Sequence, residues 1–173
     1  MIRLLGQKAA IADQRGLCMR DWFTMFADMV RAINNSRFTG SGTRYSHTGD
    51  LVSTEMVTIP VQMGNSGIAR LAVATSTTSN ANAKTLVIKI GGTTVQTVTL
   101  GTNTASQSVT MTIVGRGASS QYVSCQFTNA TGSGNGAYAV DMSGTAEIAL
   151  FLQLGTISDT VAIESWTLEV EQA

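Results

Sequence analysis

The sequence predicts an all-β protein, an antiparallel jelly-roll-like β-sandwich that follows an N-terminal arm with a short α-helix. Three observations predict this fold class. Apolar residues recur with a period of two after about residue 52, glycine-rich turns separate these runs, and charged residues make up only 13% of the 173 residues. Many short runs of period two, with no helical pattern between them, indicate an antiparallel sandwich or barrel.

The first element is a helix predicted over residues 20–35. Its apolar residues recur at spacings of three and four, which places them on one wide stripe of a helix. They are Trp22, Met25, Phe26, Met29, Val30 and Ile33. One isolated helix cannot bury such a stripe, so we expect all of these except Met25 to form an anchoring or interface surface.

The stretch after the helix, residues 34–50, is dominated by Gly, Ser, Thr and Asn and has no apolar periodicity. This composition predicts a flexible linker. We therefore expect two domains, an N-terminal arm over residues 1–52 and a β-sandwich over residues 53–173.

The remaining elements are nine strands, each a run of alternating apolar residues bounded by turn residues. They are predicted at 54–61, 68–78, 84–90, 93–100, 108–115, 120–127, 137–142, 145–154 and 160–172. Gly91–Gly92 separates two of them and predicts a two-residue hairpin turn of the primed type.

In the strand before that turn, the alternation of Leu86, Ile88 and Ile90 predicts one buried face. Lys84, Val87 and Lys89 are expected on or near the opposite face.

Residues that carry chemistry are scarce. His47 is the only histidine and lies in the predicted linker, where we expect it to be solvated. The two cysteines, Cys18 and Cys125, have no metal-ligand spacing and are expected to be unpaired. A nucleophile built from one cysteine and His47 has no orienting group. We therefore expect no enzyme activity, no metal and no cofactor.

Two carboxylates would suffice for glycoside hydrolysis. The candidates are Asp50, Glu55, Asp141, Glu147, Asp159, Glu164, Glu169 and Glu171. Period-two counting places Glu164 and Trp166 on one strand face, and the favoured interpretation is an edge charge beside a core tryptophan. Four aromatic residues could form a sugar-stacking patch: Tyr45, Tyr122, Tyr138 and Trp166. The favoured interpretation is that they occupy scattered core and edge positions.

The formal net charge is zero, so no basic field would recruit nucleic acid. The longest apolar run, residues 148–152, is far shorter than a membrane span, and no signal segment is visible. We expect no nucleic-acid or membrane partner, and a protein that is made in the cytoplasm.

Several stretches resemble tailed-bacteriophage virion proteins. "NANAKTLVIKIGGT" at residues 80–93 is similar to a recurring pattern in which an asparagine-rich turn leads into K-T, alternating apolar residues and G-G-T. "GIARLAVATSTTSN" before it, and "VTMTIVGRGASSQYVSCQF" and "ALFLQLGTISDTVAIESWTLEVEQ" after it, extend the resemblance over residues 54–171. "AAIADQRGLCMRDWFTMFADMVRAI" resembles virion-anchoring segments, although Cys18–Met19 replaces the usual polar helix cap.

This resemblance implies a homotrimeric jelly roll on the virion that binds capsid or tail proteins through its N-terminal segment. A capsid decoration protein or short head fibre fits better than a tail fibre, because no second distal domain follows. The resemblance implies no catalytic residues. The alternative is a carbohydrate-binding module that attaches to a glycan on the host surface.

Overall fold

The computed structural model describes residues 24–30 and 36–172. Residues 24–30 form a helix, and the other described residues contain twelve strands. The strands are β1 Ser36–Ser41, β2 Tyr45–Thr48, β3 Thr54–Val61, β4 Ile68–Thr77, β5 Lys84–Ile90, β6 Thr93–Leu100, β7 Ser106–Gly115, β8 Gln121–Thr128, β9 Ala130–Gly132, β10 Gly136–Tyr138, β11 Ala146–Leu154 and β12 Thr160–Glu171.

The strands form two sheets. One has seven strands in the order β1-β12-β4-β7-β8-β10, with β2 also paired to β12, and the other has five in the order β3-β11-β5-β6-β9. The strand pairs with a described register are antiparallel. The predicted antiparallel jelly-roll-like sandwich is therefore confirmed.

The core lies between the inward faces of the two sheets. Leu86, Ile88 and Ile90 of β5 are fully buried, as the alternation predicts, and Met111 and Ile113 of β7 are equally buried in the other sheet. Each such side chain contributes roughly 1.5–3 kcal/mol through burial. Gly91 and Gly92 both have positive φ, which the primed hairpin turn between β5 and β6 requires.

The segment expected to be a flexible linker contains two strands. β1 and β2 both lie along one edge of β12, and β2 pairs Tyr45–Thr48 with residues 160–163. The chain divides into the units Met1–Arg37 and Phe38–Ala173, some way before the boundary expected at residue 52. Backbone pairing with β12 makes these Ser- and Thr-rich strands part of the sheet although they lack apolar periodicity.

The helix prediction is only partly covered by the described residues. Phe26, Met29 and Val30 lie in helix 24–30 and are 44%, 40% and 51% exposed. Trp22 and Ile33 lie outside the described residues, and so does Cys18. The anchoring role of this stripe stays a prediction. In the described part of the chain, no helix is long and apolar enough to cross a membrane.

Lys84 is inside the protein, which corrects its expected position on the outer face. It shares the inward face of β5 with Leu86 and is fully buried. Its Nζ lies 3.4 Å from Oδ2 of Asp159, which is also buried. The ion pair compensates for the cost of placing the ammonium group among apolar side chains.

Two asparagines complete the surroundings of this pair. Asn80 Nδ2 donates to Asp159 Oδ1 at 2.6 Å, and Asn82 Nδ2 donates to Oδ2 at 2.9 Å. Lys84 Nζ donates to Asn80 Oδ1 and, at 3.1 Å, to the carbonyl of Asn82. We call Asn80, Asn82, Lys84 and Asp159 the buried network. It fastens the turn before β5 to the turn before β12.

Candidate functional site

The outer face of the seven-stranded sheet carries small side chains at its centre. Cross-strand pairing aligns Thr167 of β12, Ala72 of β4 and Thr110 of β7, and the next row aligns Ser165, Ala74 and Ser108. Here the sheet surface dips to form an open trough of about 140 Å³. We call these six residues the central trough; its floor offers methyl groups and hydroxyl groups side by side.

An ion pair lies beside one end of the trough, where β12 has a β-bulge. The register of β12 against β4 shifts between Ile163 and Ser165, so Glu164 is the extra residue. A bulge turns a side chain away from the direction that strict alternation gives it. Glu164 therefore lies on the outer side, 40% exposed, while Trp166 is buried at 9%. The expectation that they share a face is wrong.

The Glu164 carboxylate has two donors, and both bind the same oxygen. Arg44 Nε donates to Oε1 at 2.9 Å, and the Ser76 hydroxyl donates to Oε1 as well. Ser76, together with the charge and hydrogen bond of Arg44, holds the pKa of Glu164 below its ordinary value, so it is ionised at neutral pH. Among the described residues, Oε2 has no hydrogen-bond partner. We call Arg44, Ser76 and Glu164 the bulge end.

The other end of the trough carries an aromatic ring and two guanidinium groups. Tyr122 is half-buried on the outer face of β8, and the Arg116 guanidinium lies 4.4 Å from its ring centroid. Arg70 lies between Glu169 at 3.6 Å and Glu171 at 3.7 Å. We call these five residues the tyrosine end. Together the trough and its two ends form the outer strip.

The outer strip is long and shallow. It runs along β4 from Ser76 to Ile68, nine residues of extended strand that span about 27 Å. It is an open surface, which suits an extended ligand lying along the strands.

A second depression lies at the β6–β7 turn, with a volume of about 490 Å³. Threonines and one asparagine dominate its lining, and it contains neither a charged nor an aromatic side chain: Thr99, Leu100, Gly101, Thr102, Thr104, Asn129, Ala130 and Thr131. It has the hydrogen-bonding groups of the outer strip but not its planar charged groups.

The other candidate residues do not come together. Of the four aromatic residues considered for a sugar-stacking patch, Tyr122 belongs to the outer strip and Trp166, although 9% exposed, also lines the trough. Tyr45 and Tyr138 pack against the core. Asp141 accepts hydrogen bonds from Ser143, within its own turn.

His47 is buried at 5%, not solvated as expected, because pairing with β12 turns it inward. Its Nε2 lies 3.5 Å from Asp50 Oδ1. Cys125 is a free thiol on β8, and burial raises its pKa. Three strands separate β2 from β8, about 19 Å at the usual strand spacing, so these two side chains form no common site. Within residues 24–30 and 36–172 no group of His, Cys, Asp and Glu could hold a metal ion.

No family model and no curated protein matches the sequence. Solved structures with a similar chain course include a lectin from Bauhinia forficata in complex with GalNAc, at 11% identity and a TM-score of 0.43 over 81% of this chain and 94% of the lectin. The CBM36-1 domain of a multidomain xylanase from the hindgut metagenome of Trinervitermes trinervoides has 14% identity and a TM-score of 0.35, over 80% and 98%.

A third similar structure is the CBM2 module of the Lactobacillus casei BL23 phage J-1 evolved Dit, at 13% identity and a TM-score of 0.35, over 72% of this chain and 74% of the module. Because each of these TM-scores is below 0.5, the likeness says nothing about which ligand this chain binds.

Proposed function

We propose that this protein is a non-catalytic carbohydrate-binding module that binds an extended glycan along the outer strip. The observation that carries the proposal is the central trough, an open depression of about 140 Å³ between two ends with planar polar groups. Ligand sites combine apolar surface with a few well-placed polar groups, and this surface has that composition.

The chemistry of a sugar matches the groups of the strip. A pyranose ring presents C–H groups on its faces and hydroxyls at its edges. The methyl groups of Ala72 and Ala74 can contact the C–H face, while the hydroxyls of Ser108 and Thr110 both donate and accept. Tyr122 offers a ring for stacking.

The bulge end supplies the charged contact. Oε2 of Glu164 is an acceptor without a described partner, and the Arg44 guanidinium beside it keeps donors that the Nε bond does not use. An acceptor next to a donor suits two neighbouring sugar hydroxyls. Charge-assisted hydrogen bonds of this kind are stronger than neutral ones.

A glycan array followed by calorimetry tests this proposal. Thr110→Arg fills the centre of the trough and should weaken glycan binding at least about 10-fold, a loss of about 1.4 kcal/mol. Thr97→Arg is the matched control, because Thr97 is an exposed threonine on β6 of the other sheet. The proposal fails if no glycan binds, or if both variants lose affinity equally.

A second test addresses the absence of catalysis. The best glycan ligand, incubated with the protein at stoichiometric concentration, should be recovered intact by mass spectrometry. Cleavage products that disappear in Glu164→Gln would instead make Glu164 a catalytic group.

We also propose that the module is carried on a bacteriophage virion. The proposal rests on the sequence resemblance over residues 54–171. The buried network joins two of the stretches that carry this resemblance, "NANAKT" and "LGTISDT". Mass spectrometry of purified particles tests the location, and absence of the chain from them would refute it. The homotrimer stays a prediction, which sedimentation equilibrium of the full chain tests.

A further inference from the structure

Five strands lie at the edges of the two sheets, and β2, β3, β9 and β10 are poorly suited to pair further. β2 has only four residues. β9 and β10 have only three residues each. β3 has eight, but it carries Pro60, which has no backbone N–H, and an exposed Glu55. Short length, proline and charge are the devices by which proteins prevent pairing at sheet edges.

β1 has only one of these devices, the charge of Arg37. It has six residues, SRFTGS, with no proline, no lysine and no acid. In the described part of the chain it pairs on one side only, with β12. On that side the strands are close: a Cβ on Gly40 would lie 2.9 Å from the carbonyl oxygen of Trp166.

β1 also carries the most exposed large apolar side chain of the described residues. Phe38 is 74% exposed, and its neighbours Arg37, Thr39 and Gly40 are exposed as well. An edge strand with unpaired N–H and C=O groups and an exposed apolar side chain is a template for pairing with another strand.

We infer that β1 pairs antiparallel with β1 of a second copy of this chain, about a two-fold axis that passes between the two Phe38 residues. This register places Phe38 opposite Phe38, a favourable cross-strand aromatic pair, and Arg37 opposite Thr39. The only charged residue of β1 therefore never faces its own copy.

The two-fold symmetry determines how the two seven-stranded sheets are oriented relative to each other. A two-fold axis that relates neighbouring antiparallel strands is perpendicular to the sheet, so both seven-stranded sheets join into one and both outer strips lie on the same side. The contact is isologous, as in most homodimers. It gives a dimer of twice the 18.2 kDa chain mass, not the trimer that the resemblance implies.

Sedimentation equilibrium of the full chain from nanomolar to micromolar concentration tests the inference. The wild-type protein should be a dimer at micromolar concentration, and Phe38→Lys should weaken the dimer at least 10-fold by placing two ammonium groups on the axis. Thr97→Lys is the control and should leave the dimer unchanged. A trimer, a monomer at every concentration, or a dimer that tolerates Phe38→Lys would each overturn the inference.

Amide hydrogen exchange locates the contact. Amides of β1 should exchange more slowly in the concentrated wild-type protein than in Phe38→Lys, while β3 amides should exchange alike in both. Slow exchange of β1 in a protein that sediments as a monomer would mean that the chain covers its own edge, and the inference would fail. Neither measurement depends on a glycan, so the outcome is separate from that of the proposed function.

Discussion

Two ion pairs of this protein have similar chemistry and opposite surroundings. Lys84 and Asp159 are both buried, and amide groups of Asn80 and Asn82 surround them. Arg44 and Glu164 are 57% and 40% exposed, and only one oxygen of the carboxylate is used. The buried pair has no capacity left for a ligand, so it stabilises the fold, whereas the exposed pair contributes little stability and can still bind.

The largest expected effect comes from removing the segment that contacts the buried ion pair. A shortened protein that begins at Val52 loses β1 and β2, including the Thr48 hydroxyl that donates to the Asp159 carbonyl at 3.1 Å. We expect its melting temperature to fall by more than roughly 10 °C, or the transition to lose cooperativity. A protein that begins at Ser36 is the control. Equal melting of the two would show that β1 and β2 are dispensable.

Lys84→Met should have the next largest effect. The variant keeps the buried aliphatic stem but leaves the Asp159 carboxylate without its counter-charge, which should cost about 3 kcal/mol in urea unfolding. Lys89→Met on the same strand is the matched control, because Lys89 is only half-buried, above the Phe151 ring. We expect it to cost less than about 1 kcal/mol. Equal losses would remove the distinction between the two environments.

The third largest effect is expected at low pH, where protonation of Asp159 should weaken the buried network. The Asn80 hydrogen bond, with those from Asn82 and the Lys84 charge, lowers the pKa of Asp159. A carboxyl group with a lowered folded-state pKa stabilises the protein above its unfolded-state pKa of about 3.9, and this is lost as the pH falls through the folded-state value. Urea unfolding between pH 7 and pH 2 should show this loss. Asp159→Asn should flatten the profile in that range, and an unchanged profile would contradict the assignment.

The smallest effect on stability is expected at the bulge end. Arg44→Ala removes an exposed ion pair and should change the free energy of unfolding by less than about 1 kcal/mol. The same variant should weaken glycan binding several-fold in calorimetry, because it removes a donor beside Glu164. A stability loss as large as that of Lys84→Met would mean that the exposed pair also holds the fold.

The strands could be predicted from the sequence because most of them alternate strictly. β3, β5 and β6 have the predicted bounds, and the two glycines of the hairpin have the expected positive φ. β1 and β2 could not be predicted, because backbone pairing with β12 holds them and their side chains show little periodicity. His47 was misplaced for the same reason: it lies in β2, whereas the predicted linker would have left it in solvent.

The candidate site was harder to predict than the fold. Lys84 follows the inward alternation of β5, but only its distant partner Asp159 makes a buried lysine tolerable, and nothing local shows that partner. Glu164 was assigned to the wrong face because one extra residue in β12 interrupts the alternation. Tyr122 was noted as an aromatic residue, yet its position beside the trough depends on the pairing of β7 with β8.

Because of the bulge in β12, packing of the core constrains the inward-facing residues of this strand but not the extra residue on its outer face. Ile163 and Trp166 point inward on either side of it, and Ser165 points outward. Without Glu164 the order would be Ile163, Ser165, Trp166, which alternates regularly, so the core does not need the inserted residue. The outer face can therefore gain, lose or exchange this one carboxylate during evolution while the interior stays as it is.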